Sequence, residues 1–307
     1  MLHGWPGGVL SVSTALLRDT GRVSAIVDVV HALVDEVRTE SSSREIAVGA
    51  SALGTAALLA SALAGRVGDS SVSGVRIGWS ALRALVVSAL FVVVAVQVAE
   101  SGWITGADTA TLRWFVEQRN GTATAWARAI TEIGSPIGVA ASAVVVSGML
   151  AWRRRSAAPA VFVLGTVGFA AGVGTLTKLV VARSRPPAVL HLMAESDFSF
   201  PSGHITATTA LVAAVLVVSM STRPGFVRTA AATVSAVVIV AVVAATRLYL
   251  GVHWLTDVVG GAMLGTAVTL ASATVLLWIS RSAGDGRWRS GSGPAVVASV
   301  PAGNRAA

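Results

Sequence analysis

Three short stretches of this sequence collect residue types that hold and transfer phosphoryl groups. "KLVVARSRPP" carries Lys178 and, seven residues on, Arg185 followed by Pro186. "PSGH" sets Ser202, Gly203 and His204 in a row behind Pro201. "TRLYLGVHWLTD" places Arg247, His253 and Asp257 at intervals of six and four. An arginine fork grips two oxygens at once, whereas a lysine supplies a point charge. A serine at a helix start can cap it with its side-chain oxygen. The free N–H groups of that first turn, with the positive end of the helix dipole, form an anion site. Residues four apart share a helix face, so Asp257 can accept a hydrogen bond from one imidazole nitrogen of His253. That bond fixes the tautomer and leaves the other nitrogen free as a nucleophile.

Each stretch alone also has a plainer reading. Lys178, the only lysine of the chain, sits in the last turn of an apolar run, where a long cationic side chain can simply snorkel to the interface. "PSGH" reads equally as an ordinary helix cap with a passenger histidine, and a carboxylate near a histidine is common at helix starts. Position must decide, and position is set by the elements that carry these residues.

Those elements are membrane spans. The chain has 307 residues, 54% of them hydrophobic and 12% charged, with mean hydropathy +0.74. A soluble domain of this size carries about a quarter charged residues. Apolar runs long enough to cross a bilayer occur at 79–99, 136–152, 159–181, 205–221, 229–246 and 258–280. Backbone polar groups cannot stay unpaired in hydrocarbon, so each run predicts a helix, and none alternates as barrel strands do. The fold expected is all-α: a polytopic membrane protein with a six-helix transmembrane bundle over residues 79–280. Residues 1–78 form an N-terminal extension whose weakly apolar run, 46–65, either adds a span or lies against the bundle. Residues 281–307, rich in Gly, Ser, Pro and Arg, read as a disordered basic tail. With no cysteine, disulfides and thiolate metal sites are excluded.

The net charge of +8 does not call for nucleic acid, because most of it lies in short clusters flanking the apolar runs. Arg153, Arg154 and Arg155, then Arg223 and Arg228, then Arg281, Arg287 and Arg289 mark one membrane side, cytoplasmic by the positive-inside rule. If the spans alternate, all three polar stretches emerge on the opposite, outer face. Lys178, Arg185, Ser202, Gly203, His204, Arg247, His253 and Asp257 would then share one pocket suited to a phosphate dianion. Ionisable groups in such places are functional candidates by default. On the same outer side, Trp103, Trp114 and Trp254 read as interfacial anchors and His191 as a solvated loop residue. Glu195 and Asp197 are scattered acids there. "GAMLG", Gly261 to Gly265, reads as close packing of the last helix within the bundle.

Lys-x6-Arg-Pro at 178–186, Pro-Ser-Gly-His at 201–204 and Arg-x5-His-x3-Asp at 247–257 together resemble the signature of the type-2 phosphatidate phosphatase superfamily, which also contains the vanadium haloperoxidases. The likeness covers residues 79–280, with Thr246 standing where that family usually has serine. The resemblance implies a metal-independent and cofactor-free reaction. In it His253, oriented by Asp257, attacks phosphorus, and His204 protonates the leaving group and then activates water. Lys178, Arg185, Arg247, Ser202 and the Gly203 backbone would hold the phosphoryl oxygens. It also implies inhibition by vanadate. The expected activity is that of an integral-membrane lipid phosphate phosphatase acting on a phosphatidate-type monoester or a polyprenyl diphosphate at the outer face of the cell membrane. Alternatives are a phosphate or phospholipid transporter and a catalytically silent scaffold. A transporter would need polar residues in the inner halves of the spans, which are nearly absent. A silent scaffold would be expected to have lost the nucleophile first.

Overall fold

Every apolar run expected to span is a helix in the computed structural model, which describes residues 73–221 and 225–290. The extension 1–72, with its run at 46–65, and the last residues, 291–307, lie outside the described residues. Among the described residues there are eight α-helices and no strands. They are α1 Ser73–Ala99, α2 Gly106–Glu117, α3 Gly121–Ile133, α4 Pro136–Arg154, α5 Ala158–Val181, α6 Gly203–Met220, α7 Phe226–Tyr249 and α8 Leu255–Ser290. Six of them, α1 and α4 to α8, are long and apolar enough to cross a membrane, so the protein is a multi-pass membrane protein.

Two further helices, α2 and α3, fill the connection between the first two apolar runs, where the sequence shows no run long enough to span. Their boundaries have local causes. Asn120 caps α3 by accepting from the Ala123 N–H at 2.9 Å, and Gly134 ends it. Ser135 then caps α4, accepting from the Gly138 N–H at 3.0 Å, with Pro136 in the first turn. At the far end Arg153 and Arg154 occupy the last turn of α4, where cations complement the helix dipole. Helix α8 also departs from expectation, continuing to Ser290 rather than ending near Ser280. The stretch from Arg281 to Ser290 holds two glycines but no proline.

The C-terminal ends of α5 and α7 and the N-terminal ends of α6 and α8 are tied together at one end of the bundle. Ser199 N–H donates to the Arg183 carbonyl at 2.9 Å, and Ser202 N–H to the Asp257 carbonyl at 3.0 Å. Glycines let α8 approach this closely. A Cβ on Gly261 would meet the Ser202 carbonyl oxygen at 2.8 Å, and one on Gly265 would meet that of Thr206 at 2.7 Å. The "GAMLG" face is therefore the seat of α6, as its packing reading expects. Phe200, fully buried just before α6, stacks on Phe91 of α1 at 5.9 Å. The turn between α7 and α8 needs a glycine: Gly251 has φ +73°, and a Cβ there would meet the Leu190 carbonyl oxygen at 2.5 Å.

Candidate active site

The four tied helix ends bring all eight of the residues singled out from sequence to one place. Lys178, in the last turn of α5, extends its ammonium to the Asp197 carboxylate at 2.7 Å and the Phe198 carbonyl at 2.6 Å. A Cβ on Gly203 would lie 3.9 Å from Cε of Lys178, so the first turn of α6 borders the lysine stem. Arg185 donates through Nε to the Asp197 carbonyl at 2.8 Å and through Nη1 to the Val252 carbonyl at 2.7 Å. Its Nη2 pairs with the carboxylates of Asp197 and Glu195. Arg247 is fully buried at the end of α7. It pairs with Glu195 and donates to the Thr131 hydroxyl of α3 at 2.9 Å. The buried His204 lies within electrostatic reach of Arg247, His253, Arg185 and Lys178.

The nucleophile candidate is held from both sides. His253 Nδ1 lies 3.3 Å from Asp257 Oδ2, and Arg185 Nη1 lies 3.2 Å from Nε2. A guanidinium only donates, so Nε2 must be the acceptor and the proton sits on Nδ1, facing the carboxylate. Burial first, then the positive charges of Arg185, Arg247 and Lys178, push His253 well below the usual imidazole value of 6.5, against the opposing pull of Asp197. The ring is therefore neutral at pH 7, with the lone pair of Nε2 turned towards the cations.

One expectation fails. Ser202 stands at the N-cap of α6, but its hydroxyl does not cap the helix. The α6 backbone meets α8 there instead, and the buried Ser202 Oγ finds no hydrogen-bond partner among the described residues; nor does Nε of Arg247. Unpaired buried polar atoms cost about 1–3 kcal/mol each. Here two of them belong to residues read from sequence as phosphate holders.

Four residues of the site were not picked out as such. Glu195 and Asp197 hold the three cations. Burial alone would raise Asp197, but Lys178 and Arg185 bring it down to about 2. Arg183 donates to Asp257 and to Asp108 of α2, each at 2.6 Å. The arginine sits inside the first motif's spacing and could have been noticed there, whereas nothing in the sequence around Asp108 points to this pocket. Trp254 is no mere anchor either. Its indole N–H donates to the Ser184 carbonyl at 3.0 Å, and its backbone N–H donates to Asp257 at 2.8 Å. His191 Nε2 is 2.8 Å from the Pro186 carbonyl, so it pins the loop rather than standing free in solvent.

Known proteins share this arrangement of chain. Residues 157–281 match the model of the PAP2 superfamily. An undecaprenyl-diphosphatase of Sulfolobus acidocaldarius is 29% identical over 108 residues, 34% of this chain and 48% of that protein. The chain thus spans about half the length of the curated relative it matches. The crystal structure of a transmembrane PAP2-type phosphatidylglycerolphosphate phosphatase from Bacillus subtilis superposes with a TM-score of 0.56. That match has 24% identity and covers 65% of this chain and 96% of that one, a shared fold. The segment that matches the PAP2 superfamily model, residues 157–281, contains all three motifs and the helix ends that gather them.

Proposed function

We propose that the protein is an integral-membrane phosphatase that removes a phosphoryl group from a lipid phosphate through a phosphohistidine on His253. The observation that carries this is the neutral, oriented imidazole of His253 placed against Arg185 beside two further cations. Nε2 attacks phosphorus, the P–N bond forms, and the P–O bond to the leaving group breaks. His204 gives its proton to the departing oxygen. The same histidine then takes a proton from water as that water attacks, the P–N bond breaks, and phosphate leaves with both histidines restored. Lys178, Arg185, Arg247, the Ser202 hydroxyl and the Gly203 N–H stabilise the charge on the phosphoryl oxygens. Preorganised donors contribute most where such charge develops. The Asp257 carboxylate offsets the positive charge that His253 gains on attack.

A lipid substrate is supported by what adjoins the pocket. An apolar cavity of about 320 Å³ lies between α3, α4, α6 and α7, lined among others by Thr208, Leu211, Ile239 and Val243. Thr208 is one turn along α6 from His204, and Val243 one turn along α7 from Arg247. A hydrocarbon chain there would leave its phosphate at the cations. The sequences of the Sulfolobus diphosphatase and the Bacillus phosphatase fold support a polyprenyl diphosphate or a phosphatidylglycerophosphate-type monoester as the candidate lipids. The site faces outward, opposite the end of the bundle that carries Arg153 and Arg154.

The test is phosphate release from a panel of lipid monophosphates and diphosphates by detergent-purified protein without divalent metal. Turnover by the wild type and none by His253→Ala is the expected result; binding without turnover would favour a carrier or scaffold. Orientation is read separately. The cysteine-free chain allows Ser196→Cys on the exposed outer loop to be labelled in intact cells by a membrane-impermeant maleimide. Failure to label until the cells are opened would reverse the assignment.

A further inference from the structure

We infer that Arg183 and Asp108 are positioning residues for the nucleophile, a buried relay of residues that none of the three motifs specifies, which sets the direction of the Asp257 carboxylate and, through it, the ring of His253. The inference rests on the phosphatase reading above. Arg183 divides its guanidinium between two carboxylates on different elements. Nη1 donates to Asp257 Oδ1 at 2.6 Å and to the Thr256 hydroxyl at 2.7 Å, and Nη2 donates to Asp108 Oδ2 at 2.6 Å. Asp108 then grips the start of α8 from α2. Its Oδ1 accepts the Thr256 N–H at 2.9 Å, and its Oδ2 accepts the Thr256 hydroxyl at 2.8 Å. Both carboxylates are buried, and the guanidinium is further held over the Trp254 ring at 5.5 Å.

The two oxygens of Asp257 divide the work. Oδ2 faces His253 Nδ1 at 3.3 Å and accepts the Trp254 N–H at 2.8 Å, while Oδ1 belongs to Arg183, with Ser199 Oγ at 3.5 Å. The torsion that turns an aspartate carboxylate has no sharp minimum of its own. The direction of Oδ2 is therefore set by what holds Oδ1. Arg183 gives one N–H to Asp257 and another to Asp108, so its planar fork ties the Asp257 carboxylate to a second fixed group, which a point charge does not do. Removing the guanidinium would leave two buried carboxylates uncompensated, and the imidazole would lose its orientation although no group that faces the phosphoryl oxygens had changed. The hydrogen bonds of Arg183 run to Asp257, Thr256 and Asp108 and none to the Lys178, Arg185 and Arg247 cradle. The relay should consequently affect the chemical step and leave anion binding alone.

The experiment separates those two quantities in detergent-purified protein. kcat and KM are measured on a lipid phosphate that the wild type hydrolyses, and the affinity for inorganic phosphate, a ground-state anion, is measured by thermal shift. For Arg183→Gln, kcat should fall about ten- to a hundredfold, the scale seen when the group orienting a functional histidine is removed. KM and inorganic phosphate affinity should stay within about threefold, as for a residue acting only on the transition state. Arg183→Lys should recover part of the loss. Asp108→Asn, which keeps shape and one acceptor, should show a smaller drop in kcat with phosphate affinity retained. An unchanged kcat in both Arg183→Gln and Asp108→Asn overturns the inference. So does a loss of phosphate affinity in step with kcat in the milder Asp108→Asn, since a general structural defect behaves that way. Wild-type protein that binds inorganic phosphate but releases none from any lipid counts instead against the phosphatase reading.

Discussion

Arg185 touches His253 and the acidic loop at once: its Nη1 is 3.2 Å from Nε2 of the imidazole, while its Nε donates at 2.8 Å to the carbonyl of Asp197. One guanidinium therefore holds the acidic loop and keeps Nε2 of His253, the nitrogen proposed to attack phosphorus, unprotonated. Lysine could replace the charge and not the fork. Arg185→Lys is expected to lower kcat/KM about a hundredfold or more, because transition-state charge stabilisation and tautomer control are lost together. Steady-state kinetics on the same lipid panel would check this, and a loss under about threefold would contradict it.

The ionisation of His253 can be followed directly. Burial and the cations hold its folded pKa well below 6.5. The 13Cε1–H signal of His253, assigned with His253→Ala in a chain of five histidines, should not titrate between about pH 7.5 and 5.5. The sign for stability follows from the same shift. The unfolded chain takes up its proton near about pH 6.5 while the folded chain does not, so this residue withdraws stability as pH falls below that value. A resonance that titrates near 6.5 would show that the ring is not held neutral.

Glu195 and Asp197 compete for the cations that a phosphoryl group would use. An internal ligand of this kind weakens every external anion by the same factor, setting a threshold rather than a preference. Glu195→Gln with Asp197→Asn keeps one oxygen on each cation but converts charge-assisted bonds to weaker neutral ones. Vanadate and free phosphate should then bind about tenfold more tightly. Isothermal titration or inhibition kinetics would read the change, and equal or weaker binding would mean that the carboxylates help hold the anion instead.

Close approach of α8 to α6 makes a packing prediction. Gly261→Ala would put a methyl 2.8 Å from the Ser202 carbonyl oxygen and 3.1 Å from Cβ of Ile205. Overpacking of that kind costs about 1–3 kcal/mol, and relief by moving Ser202 should lower activity as well. Gly148→Ala, with open space around it, serves as the control. Thermal denaturation in detergent should separate the two, and equal midpoints would refute the contact.

Much of this was legible in sequence because membrane spans and polar intruders are both strong signals. The six spans follow from apolar length alone, and Lys178, His204, His253 and Asp257 stand out as ionisable groups at the lips of those spans. The helices α2 and α3 were hidden because the stretch from residue 100 to 135 mixes polar and apolar residues without a long run. Helical capping by Asn120 and Ser135, rather than hydropathy, gives them their limits. The expectation for the Ser202 hydroxyl missed because a cap motif does not reveal that the chain turns its backbone, and not its side chain, to the neighbouring helix. Asp108 was silent for a different reason. Its partners, Arg183 and Thr256, lie 75 and 148 residues away, and a lone carboxylate in a connecting segment carries no spacing to read.

The stacked pair Phe91–Phe200 bears on where a self-sufficient unit could be cut. A fragment trimmed to the family-matched stretch, 157–281, would retain every motif residue. It would nevertheless surrender the aromatic floor beneath the Pro201 turn, the Thr131 oxygen beside Arg247 and the carboxylate that steadies Arg183. Grafting or domain-swapping experiments should accordingly carry α1 to α4 along, since the motif-bearing stretch borrows its rigidity from the helices that precede it.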